Sequence, residues 1–261
     1  METSETAAAG LLLQSAQLCD AGGRASNQDT LLSARHGELA CYVVADGAGG
    51  HAGGEIACKL ATEGLIAAFN AEPEFSGQAL RYYADRANAE IGNAQLANPA
   101  QHEMSSTVAA VLIDTRRGAA LWAHLGDTRI YLFRQKKIVF TSKDHSLVQQ
   151  FVDAGYSSHE QIRIHPQRNI LYAALGAAED TPVEVTDHAM PLQAGDVFLL
   201  CTDGLWEWVL ENEMEAELAK AASPESWLEG MQAVAGRRFA QSGAIRDNTT
   251  AFAVWIGASA V

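Results

Sequence analysis

Positive charge is scarce in this sequence. Lysine and arginine total 18 against 32 aspartates and glutamates, a net charge of −14. With no basic face to neutralise a phosphate backbone, general nucleic-acid binding is excluded, although a local basic pocket is not. Paired cysteines are also lacking. Cys19, Cys41, Cys58 and Cys201 form no C-x-x-C, and their apolar neighbours predict buried free thiols in a reducing compartment. No apolar run approaches the roughly 18 residues of a membrane span. The N-terminus has no basic region, and Leu11-Leu12-Leu13 is too short for a signal core. The resulting expectation is a cytoplasmic chain with neither a nucleic-acid nor a membrane partner. Internal repeats, low-complexity segments and linkers are missing too. They leave a disordered tail over residues 1–10 and one domain over residues 11–257.

What is present suits an ordinary globular chain. There are 261 residues, 48% of them hydrophobic and 19% charged, enough for a large buried core. One stretch organises the rest: Val43-Val44-Ala45-Asp46-Gly47-Ala48-Gly49-Gly50-His51. A β-branched run ends in an aspartate, a glycine-rich turn follows, and the next residues have helical spacing. The aspartate therefore sits at the end of a buried strand, where the turn aims it into a cleft. A carboxylate beside bare backbone oxygens suits a hard divalent cation such as Mg²⁺ or Mn²⁺. Two other readings stay open. Gly47 to Ala52 also matches G-x-G-x-x-A, a dinucleotide fingerprint, but the parallel strand and acidic residue it requires do not follow. The third reading is a plain Asp-Gly turn.

Taken in order, the pattern predicts a strand over 12–20, a turn, a short strand over 30–33 and a hairpin at His36-Gly37-Glu38 into a strand over 39–45. Helices are predicted over 54–70 and 77–96, the second stopped by Asn98-Pro99. An antiparallel group follows over 106–113, 119–125, 129–134 and 138–141. Asp144 reads as the N-cap of a helix over 146–154 ended by Gly155. The pattern dissolves over 156–169, which reads as an excursion from the core. Strands over 183–188 and 196–201, helices over 211–222 and 225–241, and a last strand ending at Ile256 complete the chain.

Five aspartates, Asp29, Asp46, Asp127, Asp203 and Asp247, each lie at a turn beside an apolar strand. If they converge, they cannot all stay ionised without cations. A pair of Mg²⁺ or Mn²⁺ ions would relieve the repulsion, activate a water and clamp a phosphoryl group. Spacing alone leaves five independent turn residues equally open. His36, His124, His145 and His165 have no second histidine at helical or ribbon spacing, so none is assigned to metal.

Seven blocks, in order along the chain, resemble the bacterial form of the PPM, or type 2C, metal-dependent serine/threonine protein phosphatases. They are Arg24-x-x-Asn27-Gln28-Asp29; Val44-Ala45-Asp46-Gly47-x-Gly49-Gly50-His51 with Gly54-Glu55; Gly126-Asp127-Thr128-Arg129-x-Tyr131; Asp144-His145-Ser146-Leu147-Val148; His165-Pro166-x-x-Asn169 with Leu175-Gly176; Leu199-Leu200-x-Thr202-Asp203-Gly204-Leu205; and Asp247-Asn248-Thr249-Thr250. The resemblance runs from about residue 19 to 256. It implies an α+β fold, a four-layer αββα sandwich of two antiparallel sheets flanked by helix pairs. It implies hydrolysis of phosphoserine and phosphothreonine by a metal-activated water. By motif position, Asp46, Asp203 and Asp247 would hold one Mn²⁺ or Mg²⁺ ion. Asp29, Asp46 and the Gly47 carbonyl would hold a second, and Asp127 would help hold a third, weaker one. Arg24 would grip the substrate phosphate, a task that suits a guanidinium fork. Residues 156–169 match the family's flap, which borders the substrate groove; Arg163, His165 and Arg168 would help dock a phosphoprotein there, and a solvated loop charge is an equally open reading of Arg163. Partners would be phosphoproteins and a cognate serine/threonine kinase, with the chain acting as a monomer.

Three departures from the family pattern stand out. Ala48 replaces a methionine or a proposed acid histidine, so no residue is assigned to protonate the leaving group. Met104-Ser105-Ser106-Thr107 replaces Met-Gly-Thr-Thr, a change expected to affect packing alone. Gln28 replaces a common glutamate. No metal aspartate is missing, which favours an active enzyme over the alternative, a catalytically weak phosphoprotein-binding scaffold on the same fold.

Overall fold

The first hairpin sets the frame for the molecule. Strand β1 (Leu11–Asp20) is followed by β2 (Asp29–His36) and β3 (Leu39–Ala48). Gly37, at φ +57°, makes the two-residue turn between β2 and β3. That turn fixes the register so that Asp29 lies directly opposite Asp46. The computed structural model describes residues 10–48, 53–177, 181–243 and 245–258. Residues 1–9 of the expected tail over 1–10, and the Gly49-Gly50-His51 end of the glycine turn, therefore lie outside the described residues.

Helices α1 (Gly53–Ala71) and α2 (Gly77–Ala97) follow, each burying one stripe. On α1 it is Ala57, Ala61, Leu65 and Phe69; on α2 it is Leu80, Tyr83, Ala87 and Ile91. The Ser76 hydroxyl caps α2 by accepting from the Ala79 N–H at 3.0 Å. Next come β4 (Ser105–Ser106), β5 (Val108–Asp114), β6 (Ala119–Leu125), β7 (Arg129–Arg134) and β8 (Lys137–Thr141). Then follow α3 (Leu147–Asp153), β9 (Glu184–Val185), β10 (Met190–Pro191), β11 (Val197–Cys201), α4 (Asp203–Trp206), α5 (Glu211–Lys220), α6 (Pro224–Ser242) and β12 (Thr249–Ala258).

The strands form two antiparallel sheets. One runs β1-β12-β11-β7-β8 and the other β10-β6-β5-β3-β2, with β4 paired to β3 and β9 to β6. Three apolar clusters make four layers. Val43, Leu112 and Leu121 of the second sheet pack on α1 and α2. Val44, Val111, Phe198 and Val254 fill the space between the sheets. Tyr131, Phe133 and Leu199 of the first sheet pack on α5 and α6. This is the expected αββα sandwich. Among the described residues no parallel strand follows α1, so the dinucleotide reading fails for want of a βαβ unit.

Four local expectations are corrected. The strand over 30–33 extends from Asp29 to His36, since its whole length pairs with β3. The strand over 183–188 shortens to Glu184–Val185, and a second two-residue strand, Met190–Pro191, lies beyond it. The Thr186 N–H still reaches the Trp122 carbonyl at 3.0 Å, but the ladder then breaks until Met190. The N-cap of α3 is Ser146, whose hydroxyl accepts from the Gln149 N–H at 3.2 Å; the Asp144 carboxylate is engaged elsewhere. Cys41, Cys58 and Cys201 are buried, but Cys19 is exposed, because β1 is an edge strand of its sheet.

Trp227 bolts α6 to its neighbours. It is fully buried, meets Phe133 edge-on at 5.1 Å between centroids, and donates from Nε1 to the Met214 carbonyl at 3.0 Å. Trp227→Ala is expected to lower stability by about 3–5 kcal/mol, measured by urea denaturation. A loss under about 1 kcal/mol would mean that this layer contributes little.

Candidate active site

All five motif aspartates gather at one end of the two sheets. Asp29 begins β2, Asp46 lies near the end of β3, and Asp127 sits in the turn between β6 and β7. Asp203 opens the single turn of α4 immediately after β11, and Asp247 lies just before β12. Asp29 and Asp127 are buried, and the other three are partly so.

Backbone contacts hold these loops together. The Asp46 N–H donates to the Thr107 hydroxyl at 2.9 Å, and the Thr107 N–H donates to the Asp46 carbonyl at 2.8 Å. The Ser106 hydroxyl also donates to that carbonyl, at 3.1 Å. The Thr202 hydroxyl donates to Asp29 Oδ2 at 2.8 Å. Two glycines permit approaches that no side chain would. A Cβ on Gly47 would lie 1.9 Å from the Gly54 carbonyl oxygen, and one on Gly204 would lie 1.9 Å from that of Asn248.

Sequence reasoning missed two supports. Asn248 staples the loop before β2 to the loop before β12. Its Oδ1 accepts from the Gln28 N–H at 2.8 Å, and its Nδ2 donates to the carbonyls of Ala21 and Ser26 at 2.9 and 3.0 Å. The signal was its place in a matched block, which says nothing about its contacts. The second support is a buried cation. Arg129 binds the Asp144 carboxylate with both fork nitrogens, at 2.8 and 2.7 Å, and stacks over Trp206 at 3.6 Å. The Trp206 indole donates to the Asp127 carbonyl at 2.9 Å, so this group fixes the Asp127 turn from below.

Arg24 lies at the rim on an exposed loop. Its Nη2 contacts Asp247 Oδ2 at 2.6 Å, with about half its side chain exposed (51%). Such an exposed pair is worth roughly 0–1 kcal/mol, so the guanidinium can turn to another anion at little cost. In the flap segment, His159–Arg163 forms a 3₁₀ turn. Arg163 is nearly buried against Glu211 at 2.7 Å, so it is neither a solvated loop charge nor a free docking group. The His165 Nδ1 accepts from the Gln167 N–H at 3.1 Å. Arg168 pairs with Glu207 at 2.5 Å and feels the charges of Asp203 and Asp247.

Burial, reinforced by mutual repulsion, sets the electrostatics. Burial, then Asp29, Asp203, Asp127 and Asp247, push the Asp46 carboxyl well above the ordinary range. Burial, then Asp127 and Glu207, do the same to Asp203. Burial raises Asp29 to about 6, and burial with the Asp144 charge raises Asp127 to about 7. Among the described residues, the cluster's one ion pair is Arg24 with Asp247. The donors are all oxygens, the charge is uncompensated, and side-chain-free backbone lies beside Asp46. That set fits a hard divalent cation.

The sandwich is shared with a solved PPM Ser-Thr phosphatase of Mycobacterium smegmatis, at a TM-score of 0.77 and 28% identity over 94% of this chain and 98% of that one. The chain belongs to the protein phosphatase 2C family, whose sequence model matches residues 22–247. It is 34% identical over 223 residues to the serine/threonine protein phosphatase PstP of Mycobacterium tuberculosis, covering 81% of this chain and 41% of that one. The chain thus spans less than half the length of that relative. It is 33% identical over 180 residues to the serine/threonine phosphatase stp of Listeria welshimeri, covering 66% of this chain and 69% of the other. The fold matches a crystal structure of the PstP catalytic domain in complex with two manganese ions. There the TM-score is 0.80 and the identity 26%, covering 95% of this chain and 99% of that one.

The raised carboxyls make metal-free stability depend on pH with an inverted sign. Asp29 and Asp127 have folded-state values above the usual 3.8, so folding takes up protons. Their contribution is complete below about pH 4 and is lost as pH rises through about 6 to 7. In chelator, the melting temperature is expected to fall between about pH 5.5 and 7.5, and added Mn²⁺ is expected to remove most of that fall. A metal-free melting temperature that rises over this interval would contradict the carboxylate repulsion.

Proposed function

We propose that the chain is a metal-dependent protein serine/threonine phosphatase that hydrolyses phosphoserine and phosphothreonine in phosphoproteins. The observation that carries this reading is the convergence of five carboxylates on one end of the sandwich, among the described residues only Asp247 of them ion-paired, to Arg24. The relatives named as serine/threonine phosphatases support the same reaction and substrate class.

Residues 11–257 form the catalytic domain, with the flap over 156–169. Asp46, Asp203 and Asp247 would hold one Mn²⁺ or Mg²⁺ ion, and Asp29, Asp46 and the Gly47 carbonyl a second. Asp127 would help hold a third, weaker one, and the two manganese ions named for the PstP structure support the first two. When bound, such ions supply neutralising charge, polarise a phosphoryl group and activate a water.

The remaining roles belong to side chains of this chain. Arg24 would leave Asp247 for the substrate phosphate, orienting it and offsetting its charge. Asn248 keeps the Arg24 loop seated at the cleft. The three buried cysteines are poor nucleophiles: burial raises the Cys41 thiol to about 12 and Cys58 to about 11, and pushes Cys201 up as well. Ala48 offers no proton at the rim, so the leaving alkoxide takes one from solvent. Of the three flap candidates, Arg168, poised on Glu207 beside Asp203, would contribute most to docking. The opposing enzyme would be a serine/threonine kinase, and the phosphatase would act as a cytoplasmic monomer. No helix among the described residues is long and apolar enough to cross a membrane.

Turnover of p-nitrophenyl phosphate and of a phosphothreonine peptide is expected with Mn²⁺ or Mg²⁺ and is expected to vanish in chelator. Asp203→Asn is expected to cut turnover on the order of 10²–10³-fold. Arg24→Ala is expected to cut kcat/KM roughly ten- to a hundredfold, since a hydrogen bond to a charged group is worth about 1.5–3 kcal/mol. Folded protein with no turnover of either substrate under either metal would sink the enzyme reading and leave the phosphoprotein-binding one.

A further inference from the structure

His124 presents a problem that the phosphatase reading does not solve. It lies on β6, is 2% exposed, and neither ring nitrogen has a partner within hydrogen-bond geometry. A neutral imidazole carries one donor and one acceptor, and leaving either buried and unmade costs about 1–3 kcal/mol. Native proteins rarely tolerate this without an unseen partner.

The surroundings indicate what that partner is. Glu184 of β9 lies directly opposite His124 in the β6–β9 pair. The ring of His145, from the segment between β8 and α3, lies 4.7 Å from that of His124 between centroids. His145 Nε2 is 3.8 Å from Glu184 Oε2. One ligand atom from each of the three residues falls within 4.8 Å of the others. A cavity of about 290 Å³, lined among others by His124, Lys143, Glu184 and Asp187, opens onto the cluster from solvent. The Lys143 charge is already engaged by Asp153 at 2.7 Å.

We propose that His124, His145 and Glu184 form a zinc site separate from the aspartate cluster. Two imidazole nitrogens and one carboxylate oxygen are a borderline-soft donor set that suits zinc over Mg²⁺ or Mn²⁺. Three protein ligands leave a fourth position, which water from the cavity fills. Both rings are available as neutral ligands. Burial, then His145, holds His124 down to about 3, and the nearby Gly126 backbone offsets this only in part. Burial lowers His145 too.

The His145 Nδ1 sits 3.2 Å from the Gly126 N–H and 3.3 Å from the Gly126 carbonyl. Zinc on Nε2 selects the tautomer in which Nδ1–H donates to that carbonyl, the usual outer support of a metal-bound histidine. Zinc–ligand bonds of about 2.0–2.1 Å place ligand atoms roughly 3.4 Å apart, so the three groups must draw together. Glu184, with 68% of its side chain exposed, is free to make most of that movement. The bound ion would then tie β6, β9 and the chain entering α3 to Gly126, the residue before Asp127. The site itself does not depend on the phosphatase reading.

The test uses the full chain held in excess Mg²⁺, which occupies oxygen sites, and titrates Zn²⁺ by calorimetry. A Co²⁺ substitution is followed by its visible absorption, which is strong for a four-coordinate imidazole site and weak for an octahedral oxygen site. One equivalent of zinc is expected to bind despite Mg²⁺, with the strong cobalt spectrum. Glu184→Gln, at an exposed position, is expected to weaken zinc roughly tenfold or more. His124→Leu is expected to abolish this binding and to raise the melting temperature of zinc-free protein, because it removes the unpartnered ring. No zinc uptake in Mg²⁺, or uptake of unchanged affinity in Glu184→Gln, would overturn the proposal.

Discussion

Mutual repulsion among carboxylates at one end of the two sheets is the constraint on which the rest of the structure depends. Asp46 is its centre: four other aspartates raise its proton affinity on top of the effect of burial. A chain that gathered these charges for no purpose would relax by letting their loops drift apart. This one prevents the drift. Asp29 and Asp46 are locked in one antiparallel register, Thr107 binds the Asp46 backbone from both sides, and Asn248 ties two loops together. The sandwich therefore acts as a rigid frame that holds a destabilised site until cations offset its charge.

The surrounding ion pairs divide into two kinds. Arg129 with Asp144 is buried, doubly hydrogen-bonded and covered by Trp206, so it serves as a fixed strut beneath the Asp127 turn. Arg24 with Asp247 is half in solvent and weakly held, which suits the proposed exchange of Asp247 for a substrate phosphate. The same chemistry thus positions in one place and responds in the other, and the difference is burial. Arg163 belongs with the first kind although its loop setting made it look like the second.

Much of the fold was legible because local pattern and long-range pairing agree. Period-two apolar runs and Asp-Gly or Gly turns marked the strands, and three-to-four spacing marked both long helices. The five aspartates could be proposed as a set because each lay at a turn beside such a run. What was not legible depended on contacts distant in sequence. Asp144 looked like a helix cap because Ser146 and the helix follow it, but Arg129, fifteen residues earlier, claims its carboxylate. The strand over 183–188 failed at an edge, where half the pairing partners are absent and the chain is free to bend. Cys19 read as buried, but its strand turned out to lie at an edge. His124 and His145 shared no sequence spacing, and only the antiparallel pairing of β6 with β9 brought Glu184 to them. Spacing along the chain detects ligands on one helix or ribbon and is blind to those assembled from three segments.

The central claim is that cations, and not protons or rearranged loops, offset the charge of the aspartate cluster. The most direct measurement is anomalous X-ray scattering from crystals grown with Mn²⁺ near neutral pH. Two manganese peaks are expected, flanking Asp46, one within bonding distance of Asp203 and Asp247 and the other of Asp29. Crystals that bind no manganese there, with Asp46 and its neighbours held together by direct carboxyl–carboxylate hydrogen bonds, would contradict the claim.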